Sequence, residues 1–423
     1  MPVYAIDAAT CRTEDCDELK LMAPFSSLLP FVLLLAKQKP WKHRLELVVP
    51  QSMAKTMDNG DDDTNMPQVR RLTYRLLPND DINTQEGSLH LYGDPQSQNA
   101  CFFCGGFPDD HTVWEPMVQN FFLKDNFYCG VTCLAGFDGK LNYHPANGYK
   151  IPQMTEAFAS ALQTFVETRE NPKSKVTVIV HDWATFIGVM AINIAVANPN
   201  ISVDQIILLD VLPKQHPNAP NLPSKSSHQS WISYSRELFV KGLYRACLTT
   251  TFILSRFSKH LASAYVGSCL VFGRTFNLLP LGDIDFDVLA KRENHGLHDL
   301  SQSLYKCYPY YQGALSTLPG QYDKVLGGAH LPVVQQSIQG GSQDQQQQWK
   351  LRTPVLYMYG ATKTPFGLQF HSVATVEWLH QQEDALLGGR VLKVDNAGHW
   401  LFVQQPEICY RHMKEFILDS NTS

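Results

Sequence analysis

Val178-Ile179-Val180-His181-Asp182-Trp183-Ala184-Thr185 reads as a strand that runs, without a loop, straight into a helix. The strand begins near Lys175, and the mainly apolar helix continues to Ala197, ahead of Pro199. A side chain at so sharp a junction stands above the carboxyl edge of a sheet and at a helix N-terminus. Asp182 holds that place. The helix dipole favours a carboxylate there as the anion, which attacks without a base to deprotonate it. A bland role is also open to it, as the cap of the following helix.

Working outward, short apolar runs alternate with amphipathic stretches from Gly87 onward. Gly87 to Tyr92, Ala100 to Cys104 and Phe127 to Leu134 read as strands, Gln153 to Thr168 as a helix, and Ile206 to Leu209 as the next strand, ended by Asp210. That alternation predicts an α/β fold, a mostly parallel central sheet with helices on both faces. From Val211 to Gln348 the alternation stops, and the sequence reads as helical with a Gln-rich tract at Gly340 to Gln348. Strands resume at Pro354 to Gly360 and Arg390 to Val394. A helical excursion between two sets of strands predicts a cap inserted into a core. The expected layout is residues 1–86 as an N-terminal extension, 87–211 and 350–423 as the two parts of the core, and 212–349 as the helical cap insertion. Within the extension, Arg44 to Val49 and Val69 to Leu77 are candidate strands around an acidic loop at Asp58 to Asn65.

Composition narrows the function. The chain of 423 residues is 44% apolar and 18% charged, which is ordinary for a folded enzyme. Its net charge of -5 and scattered cations argue against nucleic acid as a partner. No leader precedes the ten cysteines, so free thiols and a cytoplasmic location are expected. Cys101-Phe-Phe-Cys104 has redox spacing, but lies in a run that reads as a buried strand. The apolar stretch at Leu28 to Ala36 is too short to span a bilayer. The stretch Leu243 to Phe272 is broken by Arg245, Arg256 and Lys259, so it reads as cover for a pocket; contact with a membrane surface is not expected. No metal-ligand or cofactor motif stands out.

An ester formed on Asp182 must be hydrolysed, which calls for a base. His399, in Asn396-Ala-Gly-His399-Trp400 after the last strand, is the candidate. The glycines of Cys104-Gly105-Gly106-Phe107-Pro108 let the backbone approach a ligand, so the amides of Phe107 and Trp183 are candidate oxyanion donors.

With these motifs together, the chain resembles the epoxide hydrolase and haloalkane dehalogenase branch of the α/β-hydrolase superfamily. The elbow at His181-Asp182-Trp183, the turn at Gly105-Gly106-Phe107-Pro108, the loop at Asn396 to Trp400 and Gly148-Tyr149-Lys-Ile-Pro carry the likeness, over roughly residues 87–215 and 350–415. The resemblance implies an α/β-hydrolase fold, an aspartate nucleophile, no cofactor and a small lipophilic substrate. Phe107 favours the epoxide hydrolases, because the dehalogenases usually have a halide-binding asparagine there. It also implies two cap tyrosines that donate to the epoxide oxygen. Tyr234 falls near the early position, and Tyr310 or Tyr311 near the late one.

The chain departs from that pattern at several points. The usual acid follows the strand ending at Gly360, where this sequence reads Gly360-Ala-Thr-Lys363. Asp210 is the alternative, since some dehalogenases place their acid after the matching strand; Asp395 is expected to point away. Val180 and Thr185 replace glycines, and Gly105 replaces a histidine. These departures leave a non-catalytic relative that binds a ligand as the rival, and a haloalkane dehalogenase as a third reading. The distance from Asp210 to the His399 ring discriminates between the first two.

Overall fold

Why the central strands are apolar on both faces along most of their length becomes clear from how they are covered. The computed structural model describes residues 69–75, 86–138, 145, 147–171, 173–195, 202–213, 231–275, 285, 288, 304–316, 331–336, 348–362, 373–384 and 388–419, all within the compact unit Met66–Ser423. The expected strand at Arg44 to Val49, the acidic loop at Asp58 to Asn65 and nearly all of the Gln-rich tract lie outside them.

The strands are β1 (Arg70–Arg75), β2 (Glu86–Tyr92), β3 (Asn99–Gly105), β4 (Tyr128–Cys133), β5 (Lys175–His181), β6 (Gln205–Leu209), β7 (Val333–Gln336), β8 (Gln348–Leu351), β9 (Val355–Gly360) and β10 (Gly389–Val394). Eight of them form one sheet in the order β1-β2-β4-β3-β5-β6-β9-β10. β2 pairs antiparallel with β1 and β4, and every other pairing is parallel. This is the α/β-hydrolase fold expected from the sequence.

Side chains alternate between two cores, as a period of two requires. Ala100, Phe102 and Cys104 of β3, Val176, Val178 and Val180 of β5 and Ile206 and Leu208 of β6 belong to one. Cys101, Phe103, Ile179, Ile207 and Leu209 belong to the other. The first face is covered by α1 (Ile151–Glu167) and α2 (Trp183–Ala195) through Phe158, Leu162, Phe165 and Ile187. The second is covered by helical turns within 111–125 and by α8 (Pro406–Asp419), through Trp114, Phe122, Cys409 and Met413. Each such buried side chain contributes about 1.5–3 kcal/mol. The Cys101 and Cys104 thiols are fully buried and pushed well up by desolvation, which suits packing and not redox exchange. The cysteines described are all free.

Between β6 and β9 the chain forms α3 (Trp231–Phe257), α4 (Lys259–Thr275), α5 (Tyr308–Ser316) and a two-stranded antiparallel ribbon of β7 and β8. The stretch expected to be helical throughout therefore ends in strand. Val333-Val334, following Pro332, favours extended backbone over helix. α5 and the turn before it are tied to the loops above the sheet by three hydrogen bonds: Tyr308 Oη donates to the Ala135 carbonyl at 2.6 Å, Gln312 Nε2 to the Asn147 carbonyl at 2.7 Å, and, from the turn, Lys306 Nζ to the Pro108 carbonyl at 3.0 Å. After β9 come α6 (Val373–Asp384), then β10, α7 (Leu401–Gln404) and α8.

Candidate active site

Parallel strands end at one edge of the sheet, and their following turns meet there. Asp182 follows β5, Asp210 follows β6, Gly106 and Phe107 follow β3, and His399 follows β10. Asp182 has φ of 54° and Asp210 of 61°, left-handed backbone that an aspartate tolerates better than most residues. Such outliers persist where the surroundings over-determine them and are commonest at functional sites.

Gly106 shows how tightly the turns are set. A Cβ there would overlap the Trp183 amide nitrogen and stand 2.7 Å from the Asp182 Cβ, so only glycine lets the β3 turn lie on the β5–α2 junction. Gly360 does the same beneath the His399 loop, where a Cβ would overlap the carbonyl oxygens of Ala397 and Gly398. Val180, bulky for its position, is accommodated by Gly188 on α2, whose missing Cβ leaves room for the Val180 methyl.

The three candidate polar residues converge. His399 Nδ1 lies 2.6 Å from Asp210 Oδ2, and both side chains are buried. A carboxylate only accepts, so Nδ1 carries the proton and Nε2 is left with its lone pair. Nε2 faces Asp182 Oδ2 at 3.9 Å. The carboxylate that meets the His399 ring thus comes from the end of β6, not from the turn after Gly360.

Below them lies a second buried polar layer. His181 Nε2 donates to the His399 carbonyl at 3.0 Å, and its Nδ1 lies 3.6 Å from Asp109 Oδ2. Asp109 also accepts from Trp400 Nε1 at 2.9 Å. Asp285 holds the His399 loop from the other side: its Oδ1 accepts from the His399 amide at 2.7 Å and from Gln404 Nε2 at 2.9 Å. Gln404 Oε1 in turn accepts from the Gly398 amide at 2.6 Å. Sequence reading missed Asp285, because nothing in Gly282-Asp-Ile-Asp-Phe-Asp287 marks it from its neighbours.

The aromatic wall is partly as expected. Tyr310 stands edge-on to Phe107 and Trp183, at 5.2 and 5.3 Å between ring centroids. Its phenol is 3.2 Å from that of Tyr244 on α3. Burial pushes both phenols up, and the Asp182 charge pushes both further. Tyr311 packs on Phe252 instead, at 5.1 Å. Tyr234 lies nearly three turns before Tyr244 on the same helix, and its side chain is outside the described residues. Tyr244 was not foreseen; among 17 tyrosines no local pattern singles it out.

The electrostatics of Asp182 correct one expectation. Burial raises its pKa to about 7, against the lowering effects of His399 and the Trp183 amide and together with repulsion from Asp109 and Asp210. The helix N-terminus alone therefore does not hold it ionised at neutral pH. A pKa raised on folding means that the folded state holds a proton the unfolded chain has lost, so stability falls as pH rises from about 4 to about 7. Asp182→Asn removes that penalty. Its melting temperature is expected to exceed wild type by several degrees at pH 8, with the gain shrinking to nothing near pH 4, as a thermal scan across pH will read.

No protein-family model matches the sequence, and neither does any curated protein. Solved structures do. The chain is similar to an epoxide hydrolase from Vigna radiata at 12% identity and a TM-score of 0.47, over 83% of this chain and 98% of that one. It is similar to potato (Solanum tuberosum) epoxide hydrolase I at 14% identity and 0.48, over 83% and 100%. An epoxide hydrolase from metagenomes of hot environments gives 14% and 0.46, over 83% and 99%.

Proposed function

We propose that this chain is a hydrolase that opens epoxides to 1,2-diols, with Asp182 as nucleophile, His399 as base and Asp210 as its acid partner. The observation that carries the reading is the convergence of a buried Asp182–His399–Asp210 array with a phenol pair, Tyr244 and Tyr310, the second of which stands edge-on to Trp183 beside the first carboxylate. A binding relative needs none of these groups poised against one another, and Asp210 reaching His399 at 2.6 Å is what catalysis requires.

The steps balance as follows. An Asp182 carboxylate oxygen bonds to one ring carbon, the ring C–O bond breaks, and the oxygen takes a proton from the phenol pair. Phenol donors stabilise the charge as it develops on that oxygen. Water then loses a proton to His399 Nε2 and adds to the Asp182 carboxyl carbon. The acyl C–O bond breaks and the diol leaves, its second hydroxyl taking the proton from His399 Nε2, while the proton of the regenerated Asp182 carboxyl returns to the phenol pair. The amides of Phe107 and Trp183 serve as donors to the oxyanion of this second step. Two features support the reading: the close seating of Gly106 on the Trp183 amide and the lipophilic surround of Phe107, Trp183 and Tyr310. The insertion between β6 and β9 acts as the cap.

Hydrolysis of a panel of aryl and alkyl epoxides tests the proposal. Tyr244→Phe and Tyr310→Phe are each expected to lower kcat/KM by about 10²–10³. No diol from any epoxide overturns it.

A further inference from the structure

Outside the site, the outer side of the α3–α4 hairpin departs from an ordinary water-facing surface. Phe257 at its tip is 82% exposed, and Leu261 and Val271 on α4 are 53% and 68% exposed. Along α4, the exposed residues Leu261, Ala264, Ser268, Val271 and Thr275 recur at the spacing of one helical face. None is charged. On a helix of 17 residues the solvent side normally mixes lysines and glutamates along its length, whereas here the exposed charge described sits at the first turn, at Lys259 and His260, and no carboxylate occurs.

The flanking charge is of one sign. From Leu238 to Gly282 the chain has Lys241, Arg245, Arg256, Lys259, His260 and Arg274, and none of its 40 carboxylates. Arg245, Arg256, Lys259 and His260 are exposed. A cationic, apolar surface on a chain of net charge -5 is a local feature, not a consequence of overall composition. The opposite side of the hairpin is already occupied, with Tyr244 bonded to Tyr310, and Phe252 packed on Tyr305 and Tyr311.

We propose that the α3–α4 hairpin docks on the surface of an anionic lipid bilayer. Phe257, Leu261 and Val271 enter the boundary between headgroups and acyl chains, while Arg256 and Lys259 meet lipid phosphates. Among the described residues no helix is long and apolar enough to cross a membrane, so the contact is interfacial. A second copy of the chain fits less well, because a symmetric pairing of this face would set Arg256 and Lys259 against their own copies. The inference stands independently of what Asp182 attacks.

Flotation of the full chain with phosphatidylcholine vesicles, with and without phosphatidylserine, tests it. Binding is expected only where phosphatidylserine is present. Lys259→Glu should weaken it by at least about fivefold, the effect of one surface cation. The double variant Phe257→Ser/Leu261→Ser should lose about tenfold or more, with a melting curve that overlays wild type because both positions are exposed; Val271→Ser serves in its place if the curve shifts. Absence of binding, equal binding to both vesicles, or binding untouched by these variants overturns the proposal. So does a dimer in solution that the double variant dissociates while no vesicle is bound.

Discussion

A His399→Gln variant mixed with an aryl epoxide is expected to gain the mass of one epoxide on Asp182 and keep it. In the proposed mechanism the two half-reactions use different groups. Ring opening needs the Asp182 carboxylate and the Tyr244–Tyr310 phenols, which the substitution leaves in place. Hydrolysis needs a base at Nε2, 3.9 Å from Asp182 Oδ2, and glutamine supplies none. Losing a positioned general base slows a step by about 10²–10⁴. The ester should therefore form in a burst of one equivalent and decay over hours. Peptide mapping of the quenched variant locates the adduct, and Asp182→Asn is the control that should form none. Asp182 titrates at about 7 with His399 lowering it, so without that histidine the burst rate should rise with pH through neutrality and level off only above it, at a higher pH than the value with His399 in place. Diol release by His399→Gln at the wild-type rate would exclude His399 as the base. An adduct on any residue other than Asp182 would exclude the nucleophile.

The parts of this site that were legible in the sequence are those fixed by local backbone. A β-branched run meeting a helix at Asp182 specifies a junction within eight residues, and the junction places the side chain whatever surrounds it. The glycine turn at Gly105-Gly106 and the loop at Asn396 to His399 are equally local. Asp210 was legible only by default, from the lack of a carboxylate after Gly360 and the likeness to dehalogenases that place their acid after the matching strand; its contact with His399 joins residues 189 positions apart. Tyr244 and Asp285 were not legible, because each acts across the join between core and insertion, and sequence spacing says nothing of that distance. Two further readings turned on burial. Val180 replaces a glycine of the resembled pattern, and Gly188 opposite it makes the room. The charge state of Asp182 was read from the helix dipole, a modest effect, whereas loss of solvent proved the larger one.

Two carboxylates accept hydrogen bonds from His399, and Asp210→Asn and Asp285→Asn should separate what each does. Asp210 accepts from the ring at Nδ1, whereas Asp285 accepts from the main-chain amide. When Nε2 takes the proton from water, the ring becomes a cation, and a full negative charge at 2.6 Å stabilises it. An amide at position 210 offers only a dipole, and its NH₂ group can hold Nδ1 unprotonated, which puts the proton on Nε2 and removes the base. Asp210→Asn is expected to slow ester hydrolysis by about 10⁴, to retain the burst, and to accumulate the Asp182 adduct as His399→Gln does. Asp285→Asn keeps an oxygen that can accept from both the His399 amide and Gln404 Nε2, so its geometry survives without the charge. Its hydrolysis rate should fall by no more than about tenfold, the scale of one weakened hydrogen bond. Stopped-flow burst and steady-state rates on the two variants provide the comparison. If both fall alike, Asp210 positions the ring and does not stabilise its charge. If Asp285→Asn falls further, the acid partner of His399 has been misassigned, and the charge that matters reaches the ring through the loop.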